Sequence, residues 1–345
     1  MKKRNKSVLF ALICITSLLF SFIGCSKTAS ENTTADADST KELKTVRLNE
    51  VAHSIFYAPQ YIAIELGYFE EEGINLELIT GFGADKVMNS LISGDADIGF
   101  MGSESSVYVY AQDSDDYAVN FAQLTQRAGN FLVSRTPNDN FKWTDVKGKE
   151  MLGGRAGGMP QMLLEYILKN NNIDPSKDLT ITQNIDFGST AAAFSSGLGD
   201  YTVEFEPAAS SLEAQGVGYV VASLGVDSGY VPYTAYCAKQ SFIKNNPDTI
   251  QSFTNAIQKG LDYVNTHNAQ EIASVIAPQF EESDLATITK IVERYKAQDT
   301  WNTDTIFEED SFNLLKDILK SSGELNKDVP YEDLVDTSFS KNALK

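Results

Sequence analysis

The sequence predicts an α/β protein of two lobes, each a mixed sheet flanked by helices, followed by a helical C-terminal region. Three observations carry that expectation. From residue 46, short runs rich in β-branched and aromatic residues alternate with helical patterns. The same order starts twice, on either side of the polar stretch Gln126-Arg127-Ala128-Gly129. From residue 247 to 319 the pattern is almost wholly helical.

The elements follow in order. A first strand over 46–51 precedes a helix over 59–66 stopped by Gly67, and a second strand covers 74–80. A helix over 84–93 puts Val87, Met88, Leu91 and Ile92 on one face and ends at Gly94, before a strand over 96–101. Extended runs at 117–125 and 130–134 flank the polar crossing. The second series is strand 150–153, helix 160–170, strand 179–183, helix 190–196 and strand 201–205. Runs at 218–223 and 231–238 form the return path, and amphipathic helices follow at 249–264, 269–276, 283–298 and 310–319. This layout gives a discontinuous lobe 1 (46–128 plus 230–345) enclosing a continuous lobe 2 (129–229).

The N-terminus has its own logic. Lys2, Lys3, Arg4 and Lys6 precede an apolar run over 8–23, then Gly24 and Cys25. A basic head, a short apolar core and a small-residue exit define an export signal, residues 1–24. The core falls short of the roughly 20 residues a spanning helix needs. Leu19-Phe20-Ser21-Phe22-Ile23-Gly24-Cys25 resembles the bacterial lipoprotein box, which implies cleavage before Cys25 and acylation of its thiol. Two acyl chains are what stable anchoring takes. Residues 25–45, rich in Ser, Thr, Ala, Asp and Glu without aromatics, bury too little to fold and read as a flexible tether. The expected location is the extracytoplasmic face of the cell membrane.

Charge and cysteines exclude other classes. The chain carries 47 acidic and 28 basic residues, net −19, and loss of the four signal cations takes it to about −23. Such a surface repels nucleic acid. With Cys14 removed and Cys25 acylated, Cys237 alone remains, so no internal disulfide can form; in the apolar run 231–238 it reads as a buried small hydrophobe. Gly153-Gly154-Arg155-Ala156-Gly157-Gly158 lacks the Lys-Ser/Thr ending of a phosphate loop, and Gly81-Phe82-Gly83 lacks the third glycine of a dinucleotide turn. No nucleophile, base and orienter come together, so the reading is a monomer that is not an enzyme, with no catalytic residue, metal site or cofactor.

In open α/β sheets ligands bind beyond the carboxyl ends of strands. The residues there are His53, Phe56 and Tyr57; Ser103, Glu104 and Ser105; Gly158, Met159 and Gln161; Asp186, Phe187, Ser189 and Thr190; Phe205 and Glu206; and Tyr233 on the return crossing. Glycines allow close backbone approach, helix starts favour a polar or negative group, and the aromatics, Tyr230 among them, can sandwich a flat ring. Glu104, Asp186 and Glu206 are either helix caps or acceptors for a ligand; Glu206 is taken as an acceptor.

Several segments carry a family resemblance. Tyr57-Ala58-Pro59-Gln60-Tyr61-Ile62-Ala63, then Leu66-Gly67-Tyr68-Phe69 and Glu72-Gly73-Ile74, resemble the opening of the sulfonate, nitrate and thiamine-precursor binding proteins of ATP-driven importers. Ser93-Gly94-Asp95-Ala96-Asp97-Ile98-Gly99, Asp145-Val146-Lys147-Gly148-Lys149 and Phe205-Glu206-Pro207 resemble later landmarks of that family. The resemblance, over about 46–264, implies a periplasmic-binding-protein type II fold that closes on a small-molecule ligand and delivers it to an ABC permease and its ATPase. Within the family the three acids favour an amine-bearing aromatic such as an aminopyrimidine. A sulfonate such as taurine, nitrate and a flavin stay open, as does a ligand sensor for a membrane receptor.

Overall fold

The computed structural model describes residues 43–185 and 188–345; the export signal, Cys25 and nearly all of the tether lie outside the described residues. The first half runs β1 (Lys44–Glu50), α1 (Ala58–Glu65), α2 (Tyr68–Glu71), β2 (Ile74–Thr80), α3 (Ala84–Ser93), β3 (Ile98–Gly102), α4 (Glu104–Ala111) and β4 (Ala118–Thr125). After the crossing come β5 (Asn130–Ser134), β6 (Glu150–Leu152), α5 (Met159–Asn170), β7 (Thr180–Thr182), α6 (Thr190–Ser195), β8 (Tyr201–Phe205), α7 (Ala208–Ala214), β9 (Tyr219–Ser223) and α8 (Leu224–Ser228). The chain then returns through β10 (Thr234–Lys239) to α9 (Gln240–Asn245), α10 (Pro247–Thr266), α11 (Ala269–Ile276), α12 (Leu285–Ala297), α13 (Glu309–Ser322), α14 (Tyr331–Leu334) and α15 (Ser338–Ala343).

The strands form two sheets of one design, ordered β2-β1-β3-β10-β4 and β7-β6-β8-β5-β9. In the first, β1 runs parallel to β2 and β3, while β10 is antiparallel to β3 and β4. In the second, β6 runs parallel to β7 and β8, while β5 is antiparallel to β8 and β9. Each sheet thus takes its antiparallel strand from chain that has just crossed, which brings the crossings at 126–129 and 229–233 beside the carboxyl ends of β3 and β8. That α/β architecture is the one the doubled strand-helix order predicts.

Local chemistry sets the helix limits. Pro247 opens α10, Asn268 and Glu271 form a reciprocal capping box on α11, and Asp284 caps α12 by accepting from the Thr287 N–H. Apolar spacing in α3 buries Val87, Met88 and Leu91, as expected, but Ile92 stays half exposed. Phe56, Phe131, Tyr295 and Trp301 belong to a core that is continuous between the two sheets. Helix α13, though within 230–345, packs on α5 beside the second sheet, so that stretch does not serve the first sheet alone. The short α2, α7, α8, α14 and α15 have too few residues to show a period in the sequence.

Candidate functional site

The site begins where β3 ends. Gly102 has no side chain because the Glu104 carboxylate folds back onto it; a Cβ there would overlap the carboxylate carbon at 2.7 Å. Glu104 is buried, and its Oε2 has no hydrogen-bond partner. Burial without an opposite charge disfavours the ionised form, and the carboxyl is pushed up to about 7. Burial pushes the phenols of Tyr57, Tyr108 and Tyr233 upward; the Glu50 charge comes next for Tyr57 and the Tyr57 phenol for Tyr233, and the Glu104 charge adds to all three. The Ser103 N–H donates to the Tyr233 carbonyl at 3.4 Å, which ties the turn carrying Glu104 to Tyr233. The Tyr233 hydroxyl is itself buried without a partner.

Aromatic rings pack round Tyr233. Phe56 lies 5.2 Å from Tyr57, 5.7 Å from Tyr233 and 5.9 Å from Phe205, and Phe205 lies 6.2 Å from Tyr233. Trp301 donates its indole N–H to the Phe56 carbonyl at 2.9 Å, which fixes the turn that carries Phe56 and Tyr57. From the second half, Gly129 sits so close under Phe56 that a Cβ would stand 2.5 Å from the ring. Asn130, directly opposite Phe205 in the β5–β8 register, is wholly buried with both amide atoms unmatched. Tyr108 donates to the Gly157 carbonyl at 3.4 Å, Ser54 donates to the Glu206 carbonyl at 3.4 Å, and Arg155 pairs with Asp85 at 3.1 Å. Loops of both halves therefore touch one another, at the ring cluster through Phe56 and Gly129 and elsewhere through these pairs.

The structure brings Phe56, Tyr57, Glu104, Phe205 and Tyr233 together as the strand ends suggest. It gives other predicted residues different tasks. Glu206, taken as a ligand acceptor, receives the Ser210 N–H at 2.9 Å and the Ser210 hydroxyl at 3.0 Å, and ion-pairs with Arg294: it caps α7, and its buried charge is balanced by a partly exposed cation. His53 uses Nδ1 on Glu50 at 3.0 Å and Nε2 on the Gln279 carbonyl at 2.7 Å; the hydrogen bond to Glu50 raises its pKa, so both ring N–H groups have acceptors. Ser103 donates to the Pro232 carbonyl, tying β3 to the return crossing. Gln161 accepts from the Gly157 N–H at 3.0 Å and donates to Glu165, which makes it a brace of its own loop. Thr190 donates at 3.1 Å to the buried Glu204, itself pushed up to about 7 by burial. Tyr230 is half exposed, hydrogen-bonded to Asp299 and stacked under Arg127, away from the ring cluster.

The remaining residues are placed without a decided role. Ser105 is buried in the first turn of α4, Gly158 precedes α5, Met159 is buried at its start, and Ser189 is exposed before α6. Asp186 and Phe187 lie outside the described residues. Asn130 and Tyr108 are not among the residues that the strand ends mark. The sequence does carry a signal for Tyr108, which stands four residues beyond Glu104 on α4 and so shares its face. Among the described residues no group of His, Cys, Asp and Glu is arranged to hold a metal ion, and Cys237 is buried with its thiol pushed up to about 12.

Residues 55–271 match the NMT1/THI5-like family. YtlA of Bacillus subtilis (strain 168), named as a candidate binding protein, is 47% identical over 299 residues, covering 87% of this chain and 90% of that protein. The chain belongs to the NMT1/THI5-like family. A further relative, the 4-amino-5-hydroxymethyl-2-methylpyrimidine phosphate synthase of Aspergillus parasiticus, is 22% identical over 220 residues, covering 61% of this chain and 63% of that enzyme. The periplasmic aliphatic sulphonate binding protein SsuA of Escherichia coli superposes with a TM-score of 0.68 at 15% identity, over 84% of this chain and 97% of that one. At that identity the likeness shows the fold, which is the periplasmic-binding-protein type expected for this NMT1/THI5-like chain.

Proposed function

We propose that this protein is the lipid-anchored, extracytoplasmic substrate-binding component of an ABC importer, and that its ligand is a flat, amine-bearing aromatic ring of the aminopyrimidine kind. One observation carries the choice of ligand: the buried Glu104 carboxylate has an unmatched oxygen, on the turn that Ser103 ties to Pro232 and Tyr233 beside the aromatic cluster. A buried acceptor without a partner is costly. A ring bearing N–H groups relieves it while offering its faces to Phe56, Tyr57, Phe205 and Tyr233. A sulfonate or nitrate brings no N–H donor to that oxygen. The name of the Aspergillus enzyme, which contains a 4-aminopyrimidine, is consistent with this chemistry; the name of YtlA supports binding rather than catalysis.

In this reading the lobes 46–128 with 230–345 and 129–229 close about crossings at 126–130 and 223–233, and Cys25 bears the lipid that keeps the protein beside its permease. Closure is favoured only as far as the ligand binds the closed form better than the open one. The test is a thermal-shift screen of the chain from residue 26 with 4-amino-5-hydroxymethyl-2-methylpyrimidine, taurine, an alkanesulfonate, nitrate and riboflavin. A ligand that binds the native state raises the melting temperature by mass action. A shift with the aminopyrimidine alone is expected; a shift with a sulfonate or nitrate alone would overturn the reading.

A further inference from the structure

We propose that Asn130 is the residue that reads the edge of the ligand ring, pairing its amide with an amino group and the adjacent ring nitrogen. The inference rests on the aminopyrimidine reading above and deepens it. Asn130 opens β5 immediately after Gly129, on which the Phe56 ring lies. In the antiparallel register it stands opposite Phe205, and directly opposed residues point their side chains to the same face of a sheet. The Asn130 amide therefore emerges beside a ring of the aromatic cluster.

Its chemistry is unusual for the interior. The residue is 0% exposed, yet neither Oδ1 nor Nδ2 has a hydrogen-bond partner. Buried amides are nearly always matched, so one left with both atoms open beside the aromatic cluster points to a complement supplied by a ligand. A primary amide offers one acceptor and one donor about a base-pair edge apart, the arrangement by which Asn reads an amino group and neighbouring ring nitrogen in adenine. An aminopyrimidine has that edge, and its second amino N–H is left for Glu104. A sulfonate has no donor for Oδ1.

The experiment is isothermal titration of the full chain in detergent with two probes, 4-amino-5-hydroxymethyl-2-methylpyrimidine and its deaminated analogue 5-hydroxymethyl-2-methylpyrimidine, on wild type, Asn130→Ala and Asn130→Leu. Both variants should lose roughly ten- to a hundredfold in affinity for the amino probe, the range of one good bidentate edge contact, and clearly less for the deaminated one, which keeps only the ring-nitrogen contact. Urea unfolding without ligand should show Asn130→Leu no less stable than wild type, because no protein hydrogen bond is lost. Equal losses for both probes, no loss for either, or a marked fall in the unliganded stability of Asn130→Leu would overturn the assignment. If wild type binds neither pyrimidine, the ligand reading itself has failed and this inference falls with it; if wild type binds the amino probe and the variants bind it equally well, only the role of Asn130 falls.

Discussion

Replacing Glu104 by Met should make the unliganded protein more stable at pH 8 and nearly useless as a receptor. The carboxyl moves from 4.5 to about 7 on folding because it is buried with Oε2 unmatched. The folded state thus holds a proton that the unfolded state has released, so stability falls as pH rises from about 4.5 to about 7 and the full penalty stands above that. A shift of this size corresponds to about 3 kcal/mol at pH 8. Met fills a similar shape without charge. Urea unfolding of both proteins at pH 5 and pH 8 isolates the effect, since Glu204 and His53 titrate alike in each. The variant's advantage should grow by about 2–3 kcal/mol between the two pH values. Its affinity for the aminopyrimidine should fall roughly ten- to a hundredfold, the worth of a hydrogen bond to a charged group. An advantage that does not change with pH would refute the buried, unmatched carboxylate.

Other consequences can be checked separately. Arg294→Met leaves the Glu206 carboxylate buried without its cation, so denaturant unfolding should show a loss of about 3–5 kcal/mol; a variant as stable as wild type would contradict the capping role. The raised pKa of His53 places its stabilising contribution below pH 6.5, to be lost as pH rises through the folded value. The stability gap between wild type and His53→Gln should therefore be widest near pH 6 and close toward pH 9; a gap constant with pH would count against the imidazolium bridging Glu50 and Gln279. Cys25→Ser should move the protein from the membrane fraction to the soluble fraction on cell fractionation, because the acyl chains supply the anchoring; retention in the membrane fraction would rule out this anchor.

Much of the fold was legible because its signals are local. Period and punctuation reveal the doubled strand-helix order, and strand ends point to Phe56, Tyr57, Glu104, Phe205 and Tyr233. The errors fall where the deciding partner is remote. Glu206 looks like a free acceptor until Arg294, 88 residues away, arrives on α12. His53 looks available until Gln279, 226 residues on, takes its Nε2, and Ser103 until Pro232, 129 residues on, takes its hydroxyl. Asn130 was hidden in the opposite way: the sequence places it at the start of an extended run but not which face or neighbour it meets, and its value shows only once the register sets it against Phe205. Residue type marks which groups could bind a ligand; the long-range pairing decides which of them remain unmatched.

A crystal structure of the protein grown with 4-amino-5-hydroxymethyl-2-methylpyrimidine tests the central claim most directly. The account predicts the ring between Phe56, Tyr57, Phe205 and Tyr233, with an N–H at hydrogen-bond distance from Glu104 Oε2. A ring bound elsewhere, or within the cluster with no nitrogen on Glu104, would contradict it.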